Sequence, residues 1–309
     1  MMQKIIPNIW FNKTAPEAGA FYEAIFPGSK ASIDSFYPTQ GLMDFQEDLA
    51  GEALTVTFQL GEYRFVFINA GPEFRPNPRI SFILNFDPLL FGNDKTAARH
   101  ELDRVWKALG EGGEIRMDLG EYPFSPHYGW VEDKYGVNWQ LISSDPDGAP
   151  RPFVIPAMLF SGTSDFKAES AVDFYLDVFE DSELGDRFYY PEQDGETGGI
   201  PESEHSRRPV MYSDFRIGNQ WFAATDSKDD MPFSFDCGVS FQVDCRDQTE
   251  IDSLWEALSA VPEAEQCGWL ADQFGVAWQI VPENMEELMR RPNAWNNMMA
   301  MHKIVIDDF

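Results

Sequence analysis

The sequence predicts an α+β protein of four βαβββ units, forming two similar domains that pack on each other as an intramolecular pseudo-dimer. The first observation is a repeat. Gly129-Trp130, Asp133, Gly136-Val137 and Trp139-Gln140 return at one common offset as Gly268-Trp269, Asp272, Gly275-Val276 and Trp278-Gln279. Chance does not align two tryptophan pairs in this way. Upstream, Glu101, Asp103, Trp106, Ala108 and Leu109 return as Glu250, Asp252, Trp255, Ala257 and Leu258, Ser81-Phe82 as Ser240-Phe241, and Phe21-Tyr22 as Phe174-Tyr175. The second observation is that each repeat alternates helical spacing with strand-like alternation. The third is the stretch 144–152 (SDPDGAPRP), whose Pro, Gly and Asp content marks a linker. The domains are read as 1–145 and 153–282, with a linker at 146–152 and a helical tail at 283–309.

Each element has a local cause. Thr14 and Glu17 form an S/T-x-x-E capping box, after which Ala18, Phe21, Tyr22, Ile25 and Phe26 keep helical spacing until Pro27-Gly28 ends the helix. Leu54, Val56, Phe58 and Leu60 alternate with Thr55, Thr57 and Gln59. Gly61-Glu62 then turns the chain into residues 63–69, a hairpin signal repeated at Gly218-Asn219. A second unit follows, with a strand at 80–86, a helix at 96–109, and strands around Ile115, Val131 and 137–142. In the second half, Asp247 and Glu250 make an N-terminal capping signature ahead of Ile251, Leu254, Trp255 and Leu258. The tail carries Met285, Leu288 and Met289, then Met298, Met299 and Met301, which predicts two short helices around Pro292 docked within the chain. A helix covers one face of each unit's sheet, so two units must pair, and paired curved sheets enclose a cleft where function is expected.

Composition excludes several classes of function. The 309 residues include 52 acidic and 23 basic side chains, a net charge of −29 that repels nucleic acid and anionic lipid alike. With 43% hydrophobic and 15% aromatic residues, 26 Phe and 9 Trp among them, the chain is too apolar for a disordered acidic protein. Its opening apolar patch is broken by Pro7 and Asn8 and matches neither a signal peptide nor a membrane span, so a cytoplasmic protein is expected. Cys237, Cys245 and Cys267 are odd in number and lack CxxC spacing, and are read as small hydrophobes rather than a metal site or disulfide framework.

The segments CGWLADQFGVAWQIVP (267–282), FINAGP (67–72) and the tail at 298–306 make the chain resemble the PhnB-like branch of the vicinal oxygen chelate superfamily. That superfamily holds the glyoxalase, bleomycin resistance and dioxygenase proteins, and members of this branch often carry the label 3-demethylubiquinone-9 3-methyltransferase. The resemblance covers nearly the whole chain, taken twice. It departs at Ser125-Pro126-His127-Tyr128 in the first half, where the family has a short Gln-x-Cys-like lead-in.

Many superfamily enzymes hold a divalent metal on first-strand residues and a last-strand Glu. Carried over, those positions fall on Pro7, Arg79 and Gln140 in one half and near Pro156, Gly238 and Gln279 in the other. Proline and glycine side chains cannot ligate, an arginine repels a cation, and neutral amides are poor ligands for zinc or iron. The resemblance therefore implies a fold whose metal site is absent here, with no cofactor.

Gln140 and Gln279 lie in alternating strands and are candidates for ligand contact, against a reading in which neighbouring groups satisfy the amides. Asn69 and Asp226, at equivalent strand ends, are further candidates, against a reading as strand-end caps. His127 is weighed as a general base and as an ordinary surface-loop histidine, and His100, His205 and His302 show no ligand spacing. Gly110, Gly112 and Gly113 follow a helix rather than a strand and read as its C-terminal cap, and no strand-to-helix glycine loop supports a nucleoside cofactor. Residues 191–208 form a long polar loop, a candidate lid. The expected function is binding of a small molecule, aromatic and cationic, in a metal-free aromatic cleft, with no nucleic acid or membrane partner. The alternatives are a superfamily-type enzyme with non-standard catalytic residues and a pseudo-dimer whose cleft is vestigial.

Overall fold

A computed structural model describes residues 3–144, 148, 150–161, 166–191 and 208–309. The first unit is β1 (Ile5–Asn12), α1 (Ala15–Ile25), β2 (Lys30–Phe36), β3 (Ala53–Leu60) and β4 (Tyr63–Ala70). The second is β5 (Ile80–Asn85), α2 (Lys95–Gly110), β6 (Glu114–Tyr122), β7 (Ser125–Glu132) and β8 (Asn138–Ile142). The third is β9 (Val154–Ser161), α3 (Ala168–Val178), β10 (Ser182–Tyr189), β11 (Val210–Ile217) and β12 (Gln220–Ser227). The fourth is β13 (Val239–Cys245), α4 (Gln248–Leu258), β14 (Trp269–Ala271) and β15 (Ala277–Pro282), followed by α5 (Met285–Leu288) and α6 (Ala294–Met299).

These strands make two mixed sheets, and each sheet takes one unit from each half. Sheet A runs β14-β15-β13-β1-β4-β3-β2, and sheet B runs β10-β11-β12-β9-β5-β8-β7-β6. The joints are antiparallel pairs, β1 with β13 (Pro7 opposite Phe241) and β5 with β9 (Phe82 opposite Pro156). The two halves are therefore joined by main-chain hydrogen bonds through the middle of both sheets.

Alternation decides what each sheet buries. Val56, Phe58 and Leu60 of β3 are buried under α1, while Thr55, Thr57 and Gln59 are half-buried on the other face. Gly19 is where α1 comes nearest the sheet, since a Cβ there would stand 2.9 Å from that of Ala31. The two units of one half meet through these helix-bearing faces. Phe65 of sheet A lies 5.1 Å from Phe82 of sheet B, ring centre to ring centre, and Tyr22 lies 5.5 Å from Trp139. The second half repeats the contact, with Phe222 at 5.7 Å from Phe241 and Tyr175 at 5.5 Å from Trp278.

Three local expectations are corrected. The capping box at Thr14 does not form, because Oδ1 of Asn69, reaching across from β4, accepts from the Ala15 amide at 3.1 Å. The fourth unit is one strand short, having no counterpart of β6. Its open edge is covered instead by the tail, where the Cys267 and Gly268 amides donate to the Met301 and His302 carbonyls at 2.9 and 2.7 Å. His127 is a buried strand residue rather than a loop residue. Residues 192–207 of the expected lid loop, His205 with them, and 145–147 and 149 of the linker lie outside the described residues. Among the described residues, no helix is long and apolar enough to cross a membrane.

Candidate functional site

The face of each sheet turned away from the helices carries two equivalent rows of side chains, fixed by strand register. On sheet B one row is Trp130, Gln140, Ile83 and Ile155, and the next is Ser81, Ala157, Ala223 and Asp214. On sheet A the matching rows are Trp269, Gln279, Gln242 and Ile6, then Ser240, Asn8, Val66 and Thr57. Gln140 and Gln279 thus occupy the same place on different sheets. Each donates to the serine of the adjoining row, Gln140 to Ser81 Oγ at 2.8 Å and Gln279 to Ser240 Oγ at 2.9 Å. Gln140 Oε1 also accepts from the Tyr128 hydroxyl at 2.6 Å.

Asn69 and Asp226 lie on the opposite, helix-bearing face. Besides accepting from Ala15, Asn69 donates to the Ala53 carbonyl at 2.9 Å. Asp226 accepts from the amides of Lys167, Ala168 and Val210, so it caps α3 as Asn69 caps α1. Both belong to the scaffold. His127 also points to the helix side, with Nε2 2.6 Å from Asp103 Oδ1 on α2, and is turned away from the face that holds Gln140.

A second buried constellation occurs in both halves. Asp133 Oδ2 accepts from the Tyr22 hydroxyl at 2.6 Å and Trp139 Nε1 at 2.8 Å, and its Oδ1 accepts from the Tyr135 and Val137 amides. Asp272 does the same with Tyr175, Trp278, Phe274 and Val276. Desolvation pushes the Asp133 carboxyl up to about 6 against the pull of those donors, and raises Asp272 for the same reason. This constellation explains the Asp-x-x-Gly-Val-x-Trp repeat as a core feature that ties helix, turn and strand together.

The metal positions can be tested against the register. Pro7 and Pro156 alternate with the helix-free positions and point into the core, so Asn8 and Ala157 stand where first-strand ligands would line the open face. Arg79 donates to the carbonyls of Phe233 and Leu159 at the junction between units, and both main-chain groups of Gly238 are engaged, its carbonyl accepting from the Trp10 amide and its amide donating to Asp236 Oδ1. The strands contribute amides, hydroxyls and alkyl groups at these places, a donor set that does not suit zinc or iron. Among the described residues, no three His, Cys, Asp or Glu side chains gather to hold a metal ion.

The two faces differ in character. On sheet A, Asn8, Gln242, Asp244 and Arg64 form a hydrogen-bonded chain, with Gln242 Nε2 2.6 Å from Asp244 Oδ1 and Arg64 Nη2 2.9 Å from Asp244 Oδ2. On sheet B, Ile83, Ile155, Ala157 and Ala223 form a buried apolar floor separate from the main core, with Ile142, Tyr212 and Trp221 packed over it. Arg151 lies against this cover, its guanidinium 3.8 Å from the centre of the Trp221 ring and its Nε 2.7 Å from Asp214 Oδ2. Tyr122, Phe124 and Tyr128 cluster at the β6–β7 turn beside Gln140, with the Phe124 ring exposed. Burial pushes the phenols of Tyr128 and Tyr212 above their ordinary range, Asp214 adding to the effect at Tyr212, so both act as hydrogen-bond donors at neutral pH. Sequence reasoning missed Arg151, Tyr212, Asp214 and Trp221. Alternation puts Tyr212 with Asp214 and Trp221 with Ala223, but only the pairing across halves brings them to the face of Gln140.

The family described as 3-demethylubiquinone-9 3-methyltransferase matches residues 3–142 and again residues 152–281. A PhnB protein from Bacillus cereus bearing that description is 32% identical over 46% of this chain and 100% of its own, with a TM-score of 0.38. A protein from Pseudomonas aeruginosa is 21% identical over 46% of this chain and 98% of its own, with a TM-score of 0.36. Glyoxalase I from Zea mays is 10% identical, covering 92% of this chain and 96% of its own, with a TM-score of 0.48. No curated protein matches the chain. With the family's domain matched twice, over most of a chain whose two halves repeat one architecture, the protein belongs to the 3-demethylubiquinone-9 3-methyltransferase family, as a tandem duplication.

Proposed function

We propose that this chain is a metal-free small-molecule binding protein, that the helix-free face of sheet B is its binding surface, and that the ligand is aromatic and preferably cationic. The observation that carries this reading is the apolar floor of Ile83, Ile155, Ala157 and Ala223, buried outside the helix-packed core under Tyr212 and Trp221. With the floor itself buried, the part of this face within a ligand's reach is the half-buried cover of Ile142, Tyr212 and Trp221, whose aromatic rings offer stacking faces worth about 1 kcal/mol each to a cation. Gln140 and the Asp214 carboxylate supply the few fixed polar groups that orient a ligand on such a surface. The net charge of −29 favours cations around the whole molecule, an effect that weakens as salt is added.

The family description names a methyl transfer. A nucleoside methyl donor is ordinarily held by a glycine-rich strand-to-helix loop, and the connections at 13–14, 86–94, 162–167 and 246–247 contain at most one glycine each. That absence supports binding over transfer.

The test is a thermal-shift screen of aromatic amines, followed by titration of a hit against wild type and Gln140→Leu, each at low and high salt. The variant is expected to bind about 3- to 10-fold more weakly, the loss of one net hydrogen bond. Unchanged affinity removes Gln140 from the site, and turnover of a substrate replaces the binding reading with an enzymatic one. Elemental analysis of the purified protein is expected to find no stoichiometric zinc, nickel, manganese or iron. One metal per chain overturns the metal-free part of the reading.

A further inference from the structure

Arg151 stands in the stretch joining the two halves, yet its side chain lies on the open face of sheet B. Nε and Nη2 reach the two oxygens of Asp214 at 2.7 and 3.2 Å, Nη2 also reaches Asp186 Oδ2 at 3.1 Å, and the guanidinium lies over Trp221. Asp214 is only 2% exposed and is held from other sides as well, by the Asp186 amide at 2.7 Å and the Tyr212 hydroxyl at 3.3 Å. Gly185 on β10 makes room for it, because a Cβ there would stand 2.0 Å from Asp214 Oδ1 and 2.7 Å from the Trp221 ring. A buried carboxylate, an indole face and a second carboxylate are the parts of a receptor for an organic cation, and one arginine does not neutralise two carboxylates. On sheet A the register puts Thr57 where sheet B has Asp214, so this arrangement is not inherited from the shared fold.

We infer that Arg151 is a tethered occupant of a guanidinium- or ammonium-binding site formed by Trp221, Asp214 and Asp186, so that a cationic ligand binds by displacing it. The inference rests on the reading of sheet B as the binding face and adds to it the class of group bound and a built-in competitor. Displacement exchanges one cation for another against Asp214, so the carboxylate is never left buried and unpaired, which would cost far more than the exchange. The competitor's local concentration is fixed by its attachment to the chain, and removing it raises the apparent affinity of any cation that fits.

The full chain, as wild type and as Arg151→Ala, is titrated by tryptophan fluorescence with benzamidine, an aromatic amidinium, and with benzamide, its uncharged counterpart. Arg151→Ala is expected to bind benzamidine about tenfold or more tightly than wild type, with no such gain for benzamide. Adding Trp221→Leu to Arg151→Ala is expected to remove the gain. Guanidinium chloride at about 10 mM is expected to raise the melting temperature of Arg151→Ala above that in equal sodium chloride, with no such difference in wild type. Should Arg151→Ala fail to fold, Arg151→Gln, which keeps a donor for Asp214 without the charge, carries the same comparison. Equal or weaker benzamidine binding by the variant, alongside Gln140-dependent binding of an aromatic amine by wild type, overturns this inference and leaves the proposed function standing. No binding of any aromatic amine or amidine to either protein overturns both.

Discussion

Set side by side, the open faces of the two sheets share a Trp-Gln-Ser corner and one isoleucine, Ile155 on sheet B and Ile6 on sheet A, and differ at the other four places. Trp130, Gln140 and Ser81 on sheet B match Trp269, Gln279 and Ser240 on sheet A, with the same hydrogen bond from glutamine to serine. Beyond that corner, Ile83, Ala157, Ala223 and Asp214 face Gln242, Asn8, Val66 and Thr57 in the corresponding places. The helix-bearing faces, by contrast, repeat Tyr, Asp and Trp with the same partners in both halves. Packing restricts the helix-bearing core of each half to one solution, whereas the helix-free faces bury Asn8 and Gln279 on sheet A and Ile83, Ala157 and Ala223 on sheet B. The duplication therefore holds one fold and two surfaces, and each surface can be judged only on its own residues.

The largest expected effect tests the shared core. Asp133→Ala leaves the Tyr22 hydroxyl, Trp139 Nε1 and two backbone amides without an acceptor, and Asp272→Ala does the same to Tyr175, Trp278 and their turn. Each buried donor so orphaned costs about 1–3 kcal/mol, so each variant is expected to lose at least about 3 kcal/mol in urea denaturation. Losses that differ by several kcal/mol between the two variants would break the equivalence of the halves.

A smaller effect concerns pH. The Asp133 carboxyl titrates near 6 in the folded protein and Asp272 is raised in the same direction, both above the ordinary aspartate value. The folded state therefore takes up protons more readily than the unfolded one across that interval. The stability Asp133 contributes is full below the ordinary aspartate range and is lost as pH rises through about 6, and that of Asp272 is lost in the same direction. The slope is at most about 1.4 kcal/mol per pH unit for each group. Denaturation midpoints followed from pH 5 to 7.5 are expected to show a shallower decline in Asp133→Asn than in wild type, and identical slopes would mean that Asp133 is not raised.

The core was legible in the sequence for a definite reason. Trp139, Trp278, Asp133 and Asp272 recur at fixed spacing because each aspartate bonds two amides of its own turn and the tryptophan six residues on, a local constraint, although its tyrosine partner lies 111 or 97 residues away. Asn69 shows the limit, since its strand-end position is visible but its helix partner in α1 lies 54 residues away. The faces were legible only in part. Alternation identifies Gln140 and Gln279 as facing a cleft, but nothing in the repeat says that β9 pairs with β5 and β1 with β13, the two joints that assemble each face. Arg151 gave no signal, because its role depends on Asp214 and Trp221, more than 60 residues away in the chain and on strands of the same half.

The faces themselves can be compared with one ligand. An aromatic amine that binds wild type is expected to bind Gln140→Leu about 3- to 10-fold more weakly and Gln279→Leu unchanged, because Gln279 lies on the other sheet. The swap conserves volume, so neither variant is expected to unfold. A loss at Gln279→Leu as large as that at Gln140→Leu would show that sheet A binds the same ligand and that the difference in lining has no consequence.

The smallest expected effect lies on sheet A, where Arg64 pairs with Asp244 on a half-buried surface. Burial raises the Asp244 carboxyl while Gln242 and Arg64 pull it back, so the ion pair offsets desolvation more than it adds stability. A double-mutant cycle of Arg64→Met and Asp244→Asn is accordingly expected to give a coupling of about 0.5–1 kcal/mol, since a partly exposed pair gains modest Coulomb energy and orders two side chains. The coupling is expected to shrink in high salt, as that of a solvent-reached pair does. A salt-insensitive coupling of about 3 kcal/mol or more would place the pair in a sealed interior like that around Asp133. The chain from Asn8 through Gln242 to Arg64 would then count as structural, and the face of sheet A would no longer be an open polar counterpart to the aromatic face of sheet B.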